Sequence, residues 1–522
     1  MEDYPITAYE YPSIDMAAFF ERANDPDYLT NDFYTNSISE PNPRWIFGYF
    51  VLALAFIFGT DWYSILFFLK ALFSISLPAM LFILVYLRLH KENRVNIFVI
   101  SLATIIICWS AYSDDVFDIF SVAIWHPIYG YAVPQNLGIL LSLISCIFLF
   151  YKKSGFYLYI GLSLFLFSAL LHPVSTLLAT IFFVLMHFDL VTIKRLLLLS
   201  VIYIISSIAL LLFFYEPSGL DSTSFIEFYV FNRLPFHYAP SRFESSGLEW
   251  EDNFILINAI LAATFILSAI RKYKKLAIMS LIALSSYIGC VLLQYILVET
   301  LMIKPIAIIG PARFTMFGFW MMVICLIYFL QLSLSKPKMK NNNLTNDNLG
   351  KISSIFTIVV IISSIIFTAI FKDTPKEWII NNNKALYKWI DNNTKDDDII
   401  AVPEMVMGIN IQLFAKRAIF ANRPIGPVLF NEKSFKEDKE RYESLFGTYK
   451  EQILLEDKIP SLALAALNYY HNLTPERVKD ISEKYKLDYI LFVNKMGGLI
   501  NFKGKKPIYK DYKYTIFRIN DL

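Results

Sequence analysis

The side chains in this chain best suited to chemistry on an anionic, hydroxyl-bearing substrate recur between long apolar runs. Asp15 lies in EYPSIDMAAFFERANDPDYLTNDFY, and Asp114 and Asp115 lie in SDDVFD. A held carboxylate can act as general base toward a hydroxyl, and an adjacent acidic pair can bind a divalent cation or orient an acceptor. His126 (WHPIYGY), His172 (LLHPVS) and His237 (LPFHYAPSRF) each sit beside proline or an aromatic residue. As zinc ligands they would have to converge from separate loops; the plainer reading is a hydrogen-bonded histidine beside a helix-starting proline. Arg233, Arg242, Lys304 and Arg313 are the cations of the same segments. The guanidinium fork suits bidentate phosphate binding, although a cation at a helix end also snorkels to any headgroup. Asp25 and Asp32, beside Asn or Pro, read as turn formers or helix caps. No Walker loop, dinucleotide fingerprint, nucleophile elbow or CxxC pair accompanies them, so a metal is left open and nucleic acid is not expected.

The elements that must position these residues are mostly membrane helices. Residues AVILMFWYC make up 56% of the chain, and apolar runs as long as a bilayer is thick recur along it. Ten spans are expected: Tyr63–Leu87, Val95–Tyr112, Val133–Tyr151, Phe156–Leu171, Pro173–Phe188, Leu196–Phe214, Phe254–Ile270, Leu276–Val298, Phe314–Leu334 and Ile352–Phe371. Helices are the fitting structure, because unpaired backbone groups in hydrocarbon cost about several kcal/mol each. Trp45–Phe58 is short for a span and reads as an interfacial or re-entrant helix, giving about 10–11 helices if it crosses.

Charge sets the orientation. The basic connectors Arg88–Arg94, Lys152–Lys153, Lys194–Arg195, Arg271–Lys275 and Lys336–Lys351 alternate with connectors holding the candidate residues. Short basic loops stay cytoplasmic, so the candidate residues are expected together on the outer face. The net charge of +2 hides this segregation. The polar, acidic Met1–Pro43 does not read as a cleavable signal peptide, and an outer acidic segment implies a further helix upstream. All four cysteines fall inside expected spans, where small apolar residues serve helix packing.

Beyond the spans, residues 372–522 read as an extracytoplasmic α/β domain. Helices are expected over Lys376–Asn393, Asn431–Leu445, Ser461–Tyr470 and Pro475–Tyr485. Strands are expected at Ile399–Pro403, Ala418–Ala421 and Asp488–Val493, with a closing hairpin through Lys513–Ile519. The chain thus divides into an acidic segment with its juxtamembrane helix (1–62), a helical membrane domain (63–371) and the α/β domain (372–522).

The Asp15 segment, Pro41–Leu72 (PNPRWIFGYFVLALAFIFGTDWYSILFFLKAL) and Ser113–Asp118 give this layout a likeness. It resembles the GT-C superfamily of membrane glycosyltransferases. NRLPFHYAPS and the KWI…IIAVP…AKRAIF…KYKLDYILF pattern are similar to uncharacterised bacterial proteins of that type. The resemblance implies a sugar carried on a polyprenyl phosphate, transferred to a glycan, lipid or protein acceptor at the outer face of a bacterial plasma membrane. It implies Asp15 as base, assisted by Asp114 or Asp115. The lipid phosphate would be met by Arg313, Lys304 and Arg233, with His126, His172 and His237 nearby. An O-antigen-type polymerase or ligase and a non-catalytic assembly protein are the alternatives. A transporter fits less well, because ionisable residues are scarce inside the spans, Lys70 being the main exception.

Overall fold

A run of apolar residues leaves the backbone one way to satisfy its polar groups without water, and the computed structural model is accordingly helical over the bilayer-length apolar runs it describes. It describes residues 16–39, 41–91, 133–151, 155–214, 221–233, 239–242, 250–334, 375–403, 405–421, 431–456, 462–496 and 498–522. The expected spans Val95–Tyr112 and Ile352–Phe371 lie outside those residues. The other eight are helices in the expected places.

Two short helices, α1 (Ala17–Asn24) and α2 (Phe33–Ser39), precede α3 (Trp45–Phe58). Gly59, in the left-handed region at φ 62°, ends α3, and the chain turns through 105° into α4 (Trp62–Lys91). The tip of α3 leaves Phe56, Ile57 and Phe58 bare, as suits contact with lipid. Then come α5 (Pro134–Tyr151), α6 (Gly155–Leu171), α7 (Pro173–Met186) and α8 (Ile193–Phe214). A short helix, α9 (Ser222–Ile226), widens into a π-helical turn, Glu227–Arg233. α10 (Trp250–Ile270) and α11 (Lys274–Gln294) follow, the latter continuing as a π-turn to Thr300. α12 (Lys304–Ile309) and a 3₁₀ segment (Pro311–Phe317) lead into α13 (Gly318–Leu334). Among the described residues, four helices are long and apolar enough to cross a membrane, or five if the bent pair at Gly59 is one span. α6, α7 and the Phe254–Ile270 stretch of α10 are apolar but shorter.

Small residues let these helices approach. Gly161 lies against the Leu149 side chain and Gly138 against His172. Ser145 Oγ donates to Gly161 O at 2.7 Å, and Ser168 Oγ donates to Gly138 O at 2.7 Å. Such contacts are the usual cohesion of apolar helices, whose packing gains little from the hydrophobic effect within lipid.

The C-terminal part is a sheet between helices. Its elements are α14 (Pro375–Asn393), β1 (Ile399–Ala401), α15 (Met405–Ala415), β2 (Ala418–Ile419), α16 (Glu432–Phe446), α17 (Tyr449–Glu456), α18 (Leu462–His471), α19 (Pro475–Tyr485), β3 (Tyr489–Val493), β4 (Tyr509–Lys510) and β5 (Tyr514–Arg518). The strand order is β2-β1-β3-β5-β4; β1 is parallel to β2 and β3, and β5 is antiparallel to β3 and β4. One sheet face joins the core of α14, α15 and the helical bundle. The other packs on α16, α18 and α19, and on Phe225–Phe231 around the π-turn.

His471 sits in that second core, 2% exposed, between Tyr470 and Phe492. Neither ring nitrogen has a hydrogen-bond partner among the described residues. Burial pushes its pKa down from 6.5 to about 4. The unfolded chain therefore binds a proton that the folded domain rejects, so stability falls as pH drops from 6.5 toward 4 and is unaffected by this group above 6.5. His471→Phe should flatten that stretch of a plot of unfolding midpoint against pH. An unchanged acid slope would remove His471 as its cause.

Candidate functional site

The two ends of the bundle differ in chemistry, and α7 connects them. At about 1.5 Å per residue its fourteen residues span about 20 Å, from His172 at its start to His187 at its end.

At the His187 end stand the described basic residues Arg88, Arg195 and Arg271. Arg88 was expected to open the basic connector Arg88–Arg94; it lies within α4 instead, 1% exposed. Its Nη1 donates to Asp189 Oδ1 at 2.6 Å, and its guanidinium lies 5.2 Å from the Tyr328 ring centre. Tyr151 Oη and His187 Nδ1 share a hydrogen bond at 3.1 Å beside this pair. Arg195 donates to Leu149 O, Arg271 stacks on Phe329, and Tyr273 Oη donates to Leu332 O. A buried ion pair here joins α4 to the α7–α8 turn.

At the other end Arg44, His172, Tyr229 and Arg313 come together from four separate parts of the chain. Arg44 is the N-cap of α3 and His172 the N-cap of α7. Proline at the first position of α7 needs no N–H partner there. His172 Nδ1 accepts the Ser175 N–H at 3.1 Å. Arg313 rides on the 3₁₀ segment before α13, which is fixed against α7 by the Phe182–Phe317 stack at 4.6 Å and against α11 by the Ala312 N–H to Gln294 Oε1 bond. Tyr229 sits on the π-turn, a backbone form that often marks functional positions.

Electrostatics tie the four together. Burial holds the Arg44 guanidinium down to about 10; Tyr229 opposes that effect and the nearby charge of Arg313 adds to it. Burial, then Arg313 and Arg44, push His172 down to about 3. Its imidazole is therefore neutral at ordinary pH. With Nδ1 accepting from Ser175, the ring proton belongs on Nε2, which is then a donor. Arg44, His172 and Arg313 keep part of their surface exposed, whereas Tyr229 is buried. Two guanidinium forks, an imidazole N–H and the positive ends of α3 and α7 make a cluster suited to a phosphate-like anion.

The sequence singled out Arg313 and His172, and the fold brings them together. It does not treat Lys304 the same way: that ammonium lies over the Phe225 ring, 4.9 Å from its centre, at the joint with the C-terminal domain. Asp15, Asp114, Asp115, His126 and His237 lie outside the described residues, as does the Arg233 side chain. Met16, which follows Asp15 in the chain, is fully buried and touches α3 near Gly48. Asp32 caps α2, accepting the Thr35 N–H at 2.6 Å, and Asp25 accepts the Asp27 N–H in a turn, as their settings predicted. Among the described residues no group of three or more His, Cys, Asp or Glu could hold a metal ion. Arg44 and Tyr229 escaped sequence reasoning. The signals were present, a cation directly before an aromatic-rich helix (PNPRW) and the aromatic run FIEFYVF, but neither names a partner.

No family model matches the chain, and no curated protein matches it in sequence.

Proposed function

We propose that this protein is a polytopic membrane glycosyltransferase of the GT-C kind, moving a sugar from a polyprenyl-phosphate donor to an acceptor hydroxyl at the outer face of a bacterial plasma membrane. The observation that carries the reading is the meeting of Arg44 and Arg313 beside neutral His172. A guanidinium fork suits bidentate phosphate binding, and two near one another can share a single phosphate. The apolar helices around the cluster suit the prenyl chain of such a donor.

In this reading Asp15, assisted by Asp114 or Asp115, takes the proton of the acceptor hydroxyl. The freed oxygen attacks the anomeric carbon from the face opposite the phosphate, giving inversion. The bond from that carbon to the phosphate oxygen breaks, and its electron pair leaves with the lipid phosphate, whose charge grows from one to two negatives. Arg44, Arg313 and the His172 Nε2–H meet that new charge where it forms, which favours the transition state over the bound donor. The positive-inside pattern of the basic connectors supports an extracytoplasmic position for the cluster and the C-terminal domain.

The test uses the full chain in vesicles with labelled polyprenyl-phosphate hexoses and pentoses and envelope glycans as acceptors. The native chain should transfer label from one donor class. Asp15→Asn should still bind lipid phosphate yet transfer nothing, because an amide cannot accept the proton. Transfer by Asp15→Asn at the native rate would remove Asp15 from the mechanism, and no transfer from any such donor would overturn the enzyme reading.

A further inference from the structure

The segment carrying Arg44 is tied to the C-terminal sheet by hydrogen bonds relayed through the short helix α2. Asp32 is fully buried. Its Oδ2 accepts the Ile419 N–H of β2 at 2.9 Å, and its Oδ1 accepts Gln412 Nε2 of α15 at 2.8 Å and the Thr35 N–H of α2 at 2.6 Å. Tyr28 Oη donates to Gln412 O at 2.6 Å, and Tyr34 Oη donates to Asp438 Oδ1 of α16 at 2.7 Å. Arg441 of α16 covers the Phe33 ring, 4.7 Å from its centre. From α2 the series continues: Ile38 O accepts Asn42 Nδ2 at 3.0 Å and Trp45 Nε1 at 3.1 Å, and Asn42 Oδ1 accepts the Arg44 N–H at 3.0 Å. Each step from β2 to Arg44 is either a hydrogen bond or the short run of α2 between Thr35 and Ile38.

The same domain grips the other side of the cluster. Phe435 of α16 stacks on Phe225 at 4.9 Å and meets the Tyr229 ring edge-on at 6.5 Å. Phe228 contacts Tyr442, and Phe231 stacks on Tyr449 at 5.1 Å. One helix, α16, thus touches the segment leading to Arg44 through Tyr34 and Phe33, and the turn carrying Tyr229 through Phe435.

We infer that the C-terminal α/β domain assembles the anion cluster: Asp32 and Tyr34 are positioning residues that set Arg44 from the β2 edge and α16. Anion binding and domain docking are therefore coupled in both directions. The inference rests on the reading of Arg44 and Arg313 as an anion site. It gives the domain a defined task, completing a site it does not itself contain. Linkage requires that an anion held by Arg44 tighten the docking that places Arg44, and that loosening the docking weaken the anion's hold by the same factor.

The experiment measures farnesyl monophosphate binding to the full chain in detergent, in two backgrounds. In the native background, Asp32→Asn, which keeps the size of the side chain but loses one strong acceptor, should weaken binding about tenfold, a usual size for coupled contacts. The gentler Tyr34→Phe should weaken it about threefold. In an Arg44→Ala background both should have no further effect, because the residue they position is gone. Reciprocally, farnesyl monophosphate should slow hydrogen exchange at the Ile419 N–H. A general loosening of the fold would instead weaken binding equally in both backgrounds, and that result overturns the inference, as does full native affinity in Asp32→Asn and Tyr34→Phe together. If Arg44→Ala and Arg313→Ala themselves leave binding intact, the anion-site reading fails first, and the two failures are told apart.

Discussion

Replacing Arg313 with alanine is expected to reduce sugar transfer by about 10²–10³-fold, the usual effect of removing one preorganised group that meets charge formed in a transition state. Arg44→Ala should fall in the same range, because in the proposed mechanism both guanidiniums meet the same developing phosphate. Lysine at either position tests the geometry. It keeps the charge but offers a point ammonium in place of a planar fork, so Arg313→Lys should retain binding of the lipid phosphate within about tenfold while losing most of the rate. His172→Gln is the milder companion, since an amide can replace the Nε2–H as donor. Steady-state rates with the responsive donor measure all of these variants. Native rates in Arg313→Ala would show that the cluster plays no part in transfer.

The other large effect concerns the opposite end of the bundle. Asp189→Ala would leave the Arg88 guanidinium 1% exposed with its one carboxylate partner among the described residues removed. Its Nε and Nη2 have no acceptor there either. Removing one partner of a buried pair typically costs about 3–5 kcal/mol. Asp189 itself is 17% exposed, which places the expectation near the lower end, about 3 kcal/mol. Against total stabilities of about 5–15 kcal/mol that is a large share. The reverse change should be mild. Arg88→Met fills the same space with apolar atoms and leaves Asp189 in contact with water. The double variant should recover most of what Asp189→Ala loses, and thermal unfolding in detergent reads all three. Equal losses for Asp189→Ala and Arg88→Met would show that the pair matters for its mutual attraction and not for the burial of Arg88.

Helix positions were legible because a bilayer-length apolar run allows few other structures. α3 forms over Trp45–Phe58 as expected, and α19 over Pro475–Tyr485. β1 and β3 were legible as β-branched runs between charged stretches. α15 was not: over residues 407–415 it is buried around most of its circumference, so no polar face marks its period. The loop before α10, read for Arg233, Arg242 and His237, carries its structural weight in Phe225, Phe228 and Phe231. Single side chains were legible when their partners are local. Asp32 caps the helix that begins at the next residue, and His172 caps the one that Pro173 opens. Arg44 and Arg313 lie far apart in the chain, and their meeting depends on the packing of α3, α7 and the 3₁₀ segment. Local pattern carries no record of that packing. Buried aromatic stacks such as Phe182–Phe317 fix it, and the sequence does not say which aromatics pair.

The central claim is that the Arg44–Arg313 cluster holds a lipid-linked phosphate. Equilibrium binding to the full chain in detergent tests it most directly, with farnesyl monophosphate, farnesol and inorganic phosphate as ligands and Arg44→Ala/Arg313→Ala as control. The account predicts that farnesyl monophosphate binds at one site per chain, more tightly than inorganic phosphate, that farnesol does not compete, and that the double variant loses the site. Equal affinity of the double variant for farnesyl monophosphate, or binding of farnesol as tight as that of its phosphate, would contradict it.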